Sequence, residues 1–187
     1  MKAAPRFLNR VVAAILSLLL TLVPAMAGDQ AKLDDLFQRL LTADAAEAGR
    51  IESEIWIEWG KSGSPTLDLL LQRGNDAMAM GDAPAAIEHY TAIIDHDPEF
   101  TEAWNGRAIA YYSAGEIGPA LADIGHVLTA NPRHFGALTG LGIILEETGD
   151  ETRALAAYRA AQAIHPHLDA VNEAIGRLEA KLEGQDL

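Results

Sequence analysis

TEAWNGRAIAYYSAGEIGPALADIGHVLTANPRH, residues Thr101 to His134, decides how this chain folds. The stretch opens with Trp104, Arg107 and Ala108, turns at Gly115-Glu116, restarts at Ala120-Leu121 and stops at Asn131-Pro132. Shifted by 34 residues in either direction, the same skeleton returns. Gly81, Gly115 and Gly149 form one column, Ala86, Ala120 and Ala154 a second, and Pro98, Pro132 and Pro166 a third. Gly74, Ala108 and Gly142 form a small-residue column, and Tyr90, Ile124 and Tyr158 a bulky one. Five columns in one period define an internal repeat over 67–100, 101–134 and 135–168. No single unit can bury its own apolar face, so stability must come from stacking neighbours.

Each unit predicts two antiparallel helices. Glycine takes a positive φ at little cost and ends the first helix. Proline cannot continue the second. In the first unit the helices are expected at 67–80 and 84–97. The small columns let helices approach, and the bulky column fills the space between neighbours. Ahead of the repeats, Asp29 to Gly60 reads as a helical hairpin. Leu33, Leu36, Phe37, Leu40 and Leu41 recur at helical spacing. Asp44 is an N-cap for the second helix, with Glu47 three residues on. Ala48, Ile51, Ile55, Trp56 and Trp59 follow along one side of it. The two indoles are expected to pack against the first repeat, as large aromatics usually supply buried area. The hairpin is a degenerate repeat or an N-terminal cap. Lys61-Ser62-Gly63-Ser64-Pro65 is a loop. After the repeats, Asp169 to Leu182 carries an apolar stripe of Val171, Ile175, Leu178 and Leu182 opposite a polar side, as a capping helix requires. Gly184 to Leu187 forms a frayed tail.

The first 27 residues read as an export signal. Lys2, Arg6 and Arg10 make a basic start, Val11 to Val23 is apolar apart from Ser17 and Thr21, and Pro24 precedes Ala25-Met26-Ala27, a small-x-small cleavage pattern. The apolar run is shorter than the ~20 residues needed to span a bilayer. Cleavage after Ala27 leaves 160 residues with 11 basic and 27 acidic side chains, a net charge of −16. Such a surface neutralises no phosphates, which argues against nucleic-acid partners, and it is repelled by anionic lipid. With no cysteine, the chain has neither a disulfide, a lipid-anchored thiol nor a thiol nucleophile, and packing alone must hold it.

The columns resemble the tetratricopeptide repeat. Trp104 stands at the first signature position of the middle unit, and Leu141-Gly142 matches the family's Leu-Gly pair. Arg73 and Arg107 replace the usual Leu before the small residue, and Leu70 and Leu138 replace Trp. The resemblance implies an all-α, right-handed superhelical solenoid whose first helices line a concave groove for peptides or partner helices. Carried over, the groove positions are Asp68, Leu71, Gln72, Asn75 and Met78 in the first unit. The second contributes Glu102, Asn105, Ile109, Tyr112 and Ser113, and the third Gly136, Thr139, Gly140, Ile143 and Glu147. The strongest candidates are Asn75, Met78, Asn105, Ile109, Tyr112, Thr139, Gly140 and Ile143. Amides and hydroxyls of this kind suit a peptide backbone, since they donate and accept without reading sequence. Some members of the family clamp a terminal carboxylate with Lys, Arg and Asn. Here Asn75 matches one position, but Gly106, Gly136 and Gly140 occupy the others, so chaperone-tail recognition is not expected.

Gly136 and Gly140 share a helix face. They provide either a smooth floor for a partner's backbone or tight packing against a neighbouring helix. Arg73, Arg107 and Arg133 are expected mostly in internal ion pairs, where long Arg stems pack. Of His89, His96, His126, His134, His165 and His167, only His165-Pro166-His167 looks like a metal pair, and no third ligand has motif spacing beside it. No Gly-x-Ser-x-Gly elbow, Walker loop or His-Glu-x-x-His is present. The sequence thus points to a non-catalytic scaffold in the periplasm that holds a segment of another envelope protein and needs no metal or cofactor. The rival reading is an enzyme or a small-molecule or metal binder built on Trp56, Trp59 or the histidines. Self-association is a third expectation.

Overall fold

A computed structural model describes residues 24–185, so most of the expected export signal lies outside the described residues. Nine helices and no strand occur among them. The first two are α1 (Pro24–Leu40) and α2 (Ala45–Trp59). The repeats follow as α3 (Pro65–Ala79), α4 (Ala83–His96), α5 (Thr101–Ser113), α6 (Ile117–Ala130), α7 (Phe135–Glu147) and α8 (Glu151–Ile164), and α9 (Asp169–Gln185) ends the chain. Pro65 begins α3 two residues earlier than expected, because proline's fixed φ suits the first helical turn. In each unit the two helices pack against one another, and each second helix packs on the first helix of the next, which is the all-α solenoid that the resemblance implies.

The turns are made by the repeated residues. Gly81, Gly115 and Gly149 take φ of 76°, 79° and 83°. Asp82 and Asp150 then cap the following helices by accepting from Ala85 N–H at 3.1 Å and Arg153 N–H at 3.1 Å. A further column closes each unit. Asp97, Asn131 and His165 each accept the N–H two residues on, through Oδ1, Oδ1 and Nδ1. His165 therefore belongs to a turn. Its Nε2 meets Glu52 at 3.2 Å.

Between units, bulk is matched to its absence. A Cβ on Gly74 would lie 2.5 Å from the Tyr90 ring, and one on Gly106 would lie 2.6 Å from the same ring. Tyr90 is thus wedged between α3 and α5 with no room on either side. Gly142 repeats the relation with Tyr158 at 2.5 Å. In the middle unit the bulky residue is Ile124 and its small partner is Ala108.

The hairpin departs from expectation. Trp56 and Trp59 do not pack on the first repeat. α1 and α2 fold back along the edge where successive units join, and their core includes Phe135, with Ile164 and Leu168 against it. Trp59 stacks on His134 at 4.4 Å, and Trp56 meets Phe135 edge-on at 5.3 Å. Asp34 pairs with Arg133 at 2.6 Å, and that guanidinium lies 4.5 Å over Phe37. The reason is aromatic area: the third unit's entrance offers the His134 and Phe135 rings, whereas no residue of α3 joins this cluster. Asp44 caps α2 as expected, accepting from Glu47 N–H at 2.9 Å. α9 buries Val171, Ile175 and Leu178, and its outer charges reach back through Arg177–Glu146 and Arg159–Glu179.

The wedge predicts opposite outcomes for two Gly→Ala changes in helices. Gly74→Ala drives a methyl into Tyr90 and should cost about 1–3 kcal/mol, lowering Tm by about 2–12 °C for a chain of this size. Gly125→Ala, with nothing within 4 Å of the new methyl, should gain about 0.5–1 kcal/mol. Thermal melts of the two variants check this.

Candidate partner-binding groove

The first helices α3, α5 and α7 line a trough made of two adjoining cavities. One, of about 380 Å³, lies between the first and second units. It takes Leu71, Asn75 and Met78 from α3 and Glu102, Asn105, Gly106 and Ile109 from α5, with Tyr90 beneath and Trp56 and Gly60 across one end. The other, of about 270 Å³, lies between the second and third units. Asn105, Ala108, Ile109 and Tyr112 face Gly136, Ala137, Thr139, Gly140, Ile143 and Ile144 across it, over Ile124. Asn105 and Ile109 belong to both, so the trough is continuous. Asn75, Met78, Asn105, Ile109, Tyr112, Thr139, Gly140 and Ile143 are therefore brought together. Asp68, Gln72, Ser113 and Glu147 are not in either lining.

The polar groups in the trough are largely engaged, which alters the expected role of its amides and hydroxyls. Tyr90 donates its hydroxyl to Asn75 Oδ1 at 2.7 Å, which occupies one lone pair of that oxygen. Thr139 donates to the Phe135 carbonyl at 2.8 Å, and Tyr112 donates to Glu147 Oε1 at 2.6 Å. Asn105 is buried, with its NH₂ toward Glu102 at 3.5 Å. The open face is apolar instead. Ile109 is 51 % exposed and Ile143 36 %, and both line the second cavity. No Lys or Arg lines either cavity.

A buried corner fixes the trough to the hairpin. His134 Nδ1 accepts Ala137 N–H at 3.0 Å, so its other nitrogen carries the proton and donates to Glu102 Oε1 at 2.8 Å. Trp59 covers that imidazole. The tip of the Trp56 indole lies 2.7 Å from where a Cβ on Gly136 would be. The two glycines therefore divide. Gly136 is small to admit Trp56, whereas a Cβ on Gly140 would find only Ile124 Cδ1, at 3.7 Å. Both indoles pack on His134 and Phe135, and His134 and His165 are buried. Arg107 makes a bidentate pair with Asp123 at 2.7 and 2.9 Å and reaches Thr91 at 3.2 Å, joining α4, α5 and α6. Arg73 is exposed. The hairpin's fold-back, the Glu102–His134 bond and the Tyr90–Asn75 bond were not anticipated. The paired Gly–Tyr and Ala–Ile columns could have pointed to the last of these.

Burial, with the Glu102 charge behind it, pushes the Tyr90 hydroxyl up to about 12 from 10.0. Burial and then the Glu146 bond raise Tyr158 as well. A raised folded-state value means this stabilisation is complete below the unfolded value near 10 and is lost as pH climbs through about 12. Tyr90→Phe keeps the ring in its wedge and removes the proton. Urea midpoints measured from neutral pH into this range should decline less steeply in the variant, with a loss at pH 7 of about 0.5–1.5 kcal/mol for the hydrogen bond.

The tetratricopeptide repeat family model matches residues 71–125 and 114–169. A TPR repeat-containing protein of Rhizobium etli is 35 % identical over 161 residues, covering 86 % of this chain and 79 % of that protein. Among solved structures, the Sgt2 TPR domain from Aspergillus fumigatus superposes with a TM-score of 0.61 at 26 % identity, over 66 % of this chain and 83 % of that one. The first TPR of Spaghetti, bound to an HSP90 peptide SRMEEVD, gives a TM-score of 0.60 at 20 % identity, over 63 % and 93 %. The repeat columns, the stacked helix pairs and these likenesses agree, and the chain belongs to the tetratricopeptide-repeat family.

Proposed function

We propose that this protein is a non-catalytic binding module that holds a segment of another protein in the trough across α3, α5 and α7. The observation that carries the reading is the exposed Ile109–Ile143 floor, continuous over both cavities and rimmed by Asn75 and Tyr112. Exposed apolar area of this kind, set between polar rims, marks association surfaces. The peptide carried by Spaghetti supports the same use of this fold. Its acidic residues do not suit this trough, which has no cation in its lining. The basic, apolar and small-residue order of 1–27 supports export to the periplasm and a partner in the cell envelope.

Two measurements test the reading. N-terminal sequencing of the protein from cells should begin at Gly28; an intact Met1 would overturn the export assignment. Ile109→Glu/Ile143→Glu, at exposed positions, should leave the melting curve near that of the parent. It should abolish co-purification of an envelope protein with the tagged chain. Retention of that partner at equal yield would overturn the groove.

A further inference from the structure

The wedges along the stack differ in bulk, and the middle one is the smallest. Tyr90 fills its gap until a Cβ on Gly106 would lie 2.6 Å from its ring. At the equivalent place in the next junction, a Cβ on Gly140 would find Ile124 Cδ1 only at 3.7 Å. Ala108 stands where the other units have Gly74 and Gly142, so the middle unit has exchanged a Gly–Tyr pair for an Ala–Ile pair. Ile124 lies beneath the cavity of about 270 Å³ between the second and third units. It is lined almost wholly by apolar groups. Of its polar members, Thr139 bonds its own helix, Tyr112 bonds Glu147, and buried Asn105 turns its NH₂ toward Glu102. A cavity of about 150 Å³ lined by aliphatic and aromatic groups admits a benzene ring, so this one has the scale of a single large side chain.

The charge around it narrows the occupant. Glu102 stands behind Asn105 and Glu147 behind Tyr112, and no Lys or Arg lines the trough. The chain as a whole carries −13. An acidic segment would be repelled, and a basic one steered in. We infer that the cavity over Ile124 receives one large apolar side chain, aromatic or branched aliphatic, from a partner segment whose flanking residues are neutral or basic. The inference rests on the groove reading above and adds to it where the anchor seats and what charge surrounds it.

The test is a display selection of random peptides, about twelve residues long to span the trough at ~3.3 Å per residue, on the chain from Gly28 onward. Selected peptides are then measured against the parent and against Ala108→Gly/Ile124→Tyr, which rebuilds the middle junction on the pattern of Gly74 and Tyr90. Isoleucine methyl NMR locates the contact. Selected peptides should carry one large apolar residue with Lys or Arg nearby. They should shift Ile109, Ile124 and Ile143, and bind the double variant at least about tenfold more weakly. Gly140→Leu, which fills the cavity from the opposite wall, should do the same and serves if the double variant does not fold. Enrichment of Asp and Glu, or affinity unchanged in both variants, would overturn the anchor while leaving the groove standing. Methyl shifts that depend on protein concentration without peptide would make a second copy the occupant, and overturn it too. Failure to select any peptide would overturn the groove itself.

Discussion

The Tyr90 ring closed between two glycines is the constraint on which the rest depends. Helix pairs of this kind have no strand ladder to set their spacing; side-chain bulk sets it. With Gly74 on one side and Gly106 on the other, the ring holds α3 and α5 at a separation where neither glycine can gain a methyl. Tyr158 does the same beside Gly142, packed with Ala174 of α9. The trough on the facing side is what these wedges leave unfilled.

Stacked repeats normally interact only with their neighbours, so that stability is nearly a sum over adjacent units. The N-terminal hairpin breaks that pattern. Asp34 and Arg133 are 99 residues apart in the chain, and Glu52 and His165 are 113 apart. Trp59 over His134, beside the His134–Glu102 bond, couples the hairpin to α5 and α7 at once. The hairpin also supplies Trp56 to one end of the trough. Its position therefore bears on how the trough is shaped, through contacts that span most of the chain.

Much of this was legible in the residue order. The turn glycines, the tiers, the Asp44 cap and the terminal helix follow from local chemistry: a φ only glycine takes cheaply, a proline that cannot continue a helix, a period of apolar positions. The alignment of Asn75, Asn105, Ile109, Tyr112, Thr139, Gly140 and Ile143 along one trough follows from that periodicity together with the family resemblance. The unread parts are those decided by partners distant in sequence. Nothing local to Trp56 and Trp59 says that their rings meet His134 and Phe135. Gly136 and Gly140 share a helix face in the sequence, yet an indole lies over one and only the tip of Ile124 near the other. The amides looked free because a hydroxyl fifteen residues away, on Tyr90, is invisible to a reading of Asn75 alone. The same limit applies to Arg107, whose bidentate bond to Asp123 crosses from one helix to the next.

The central claim is that the face carrying Ile109 and Ile143 meets another protein, and that the opposite face does not. Site-specific photocrosslinking in intact cells addresses it directly, with a benzophenone side chain at position 143 in one strain and at the exposed position 125 of α6 in another. A discrete crosslinked species is expected from position 143 and none from 125. Equal crosslinking from both, or crosslinking from 125 alone, would contradict it.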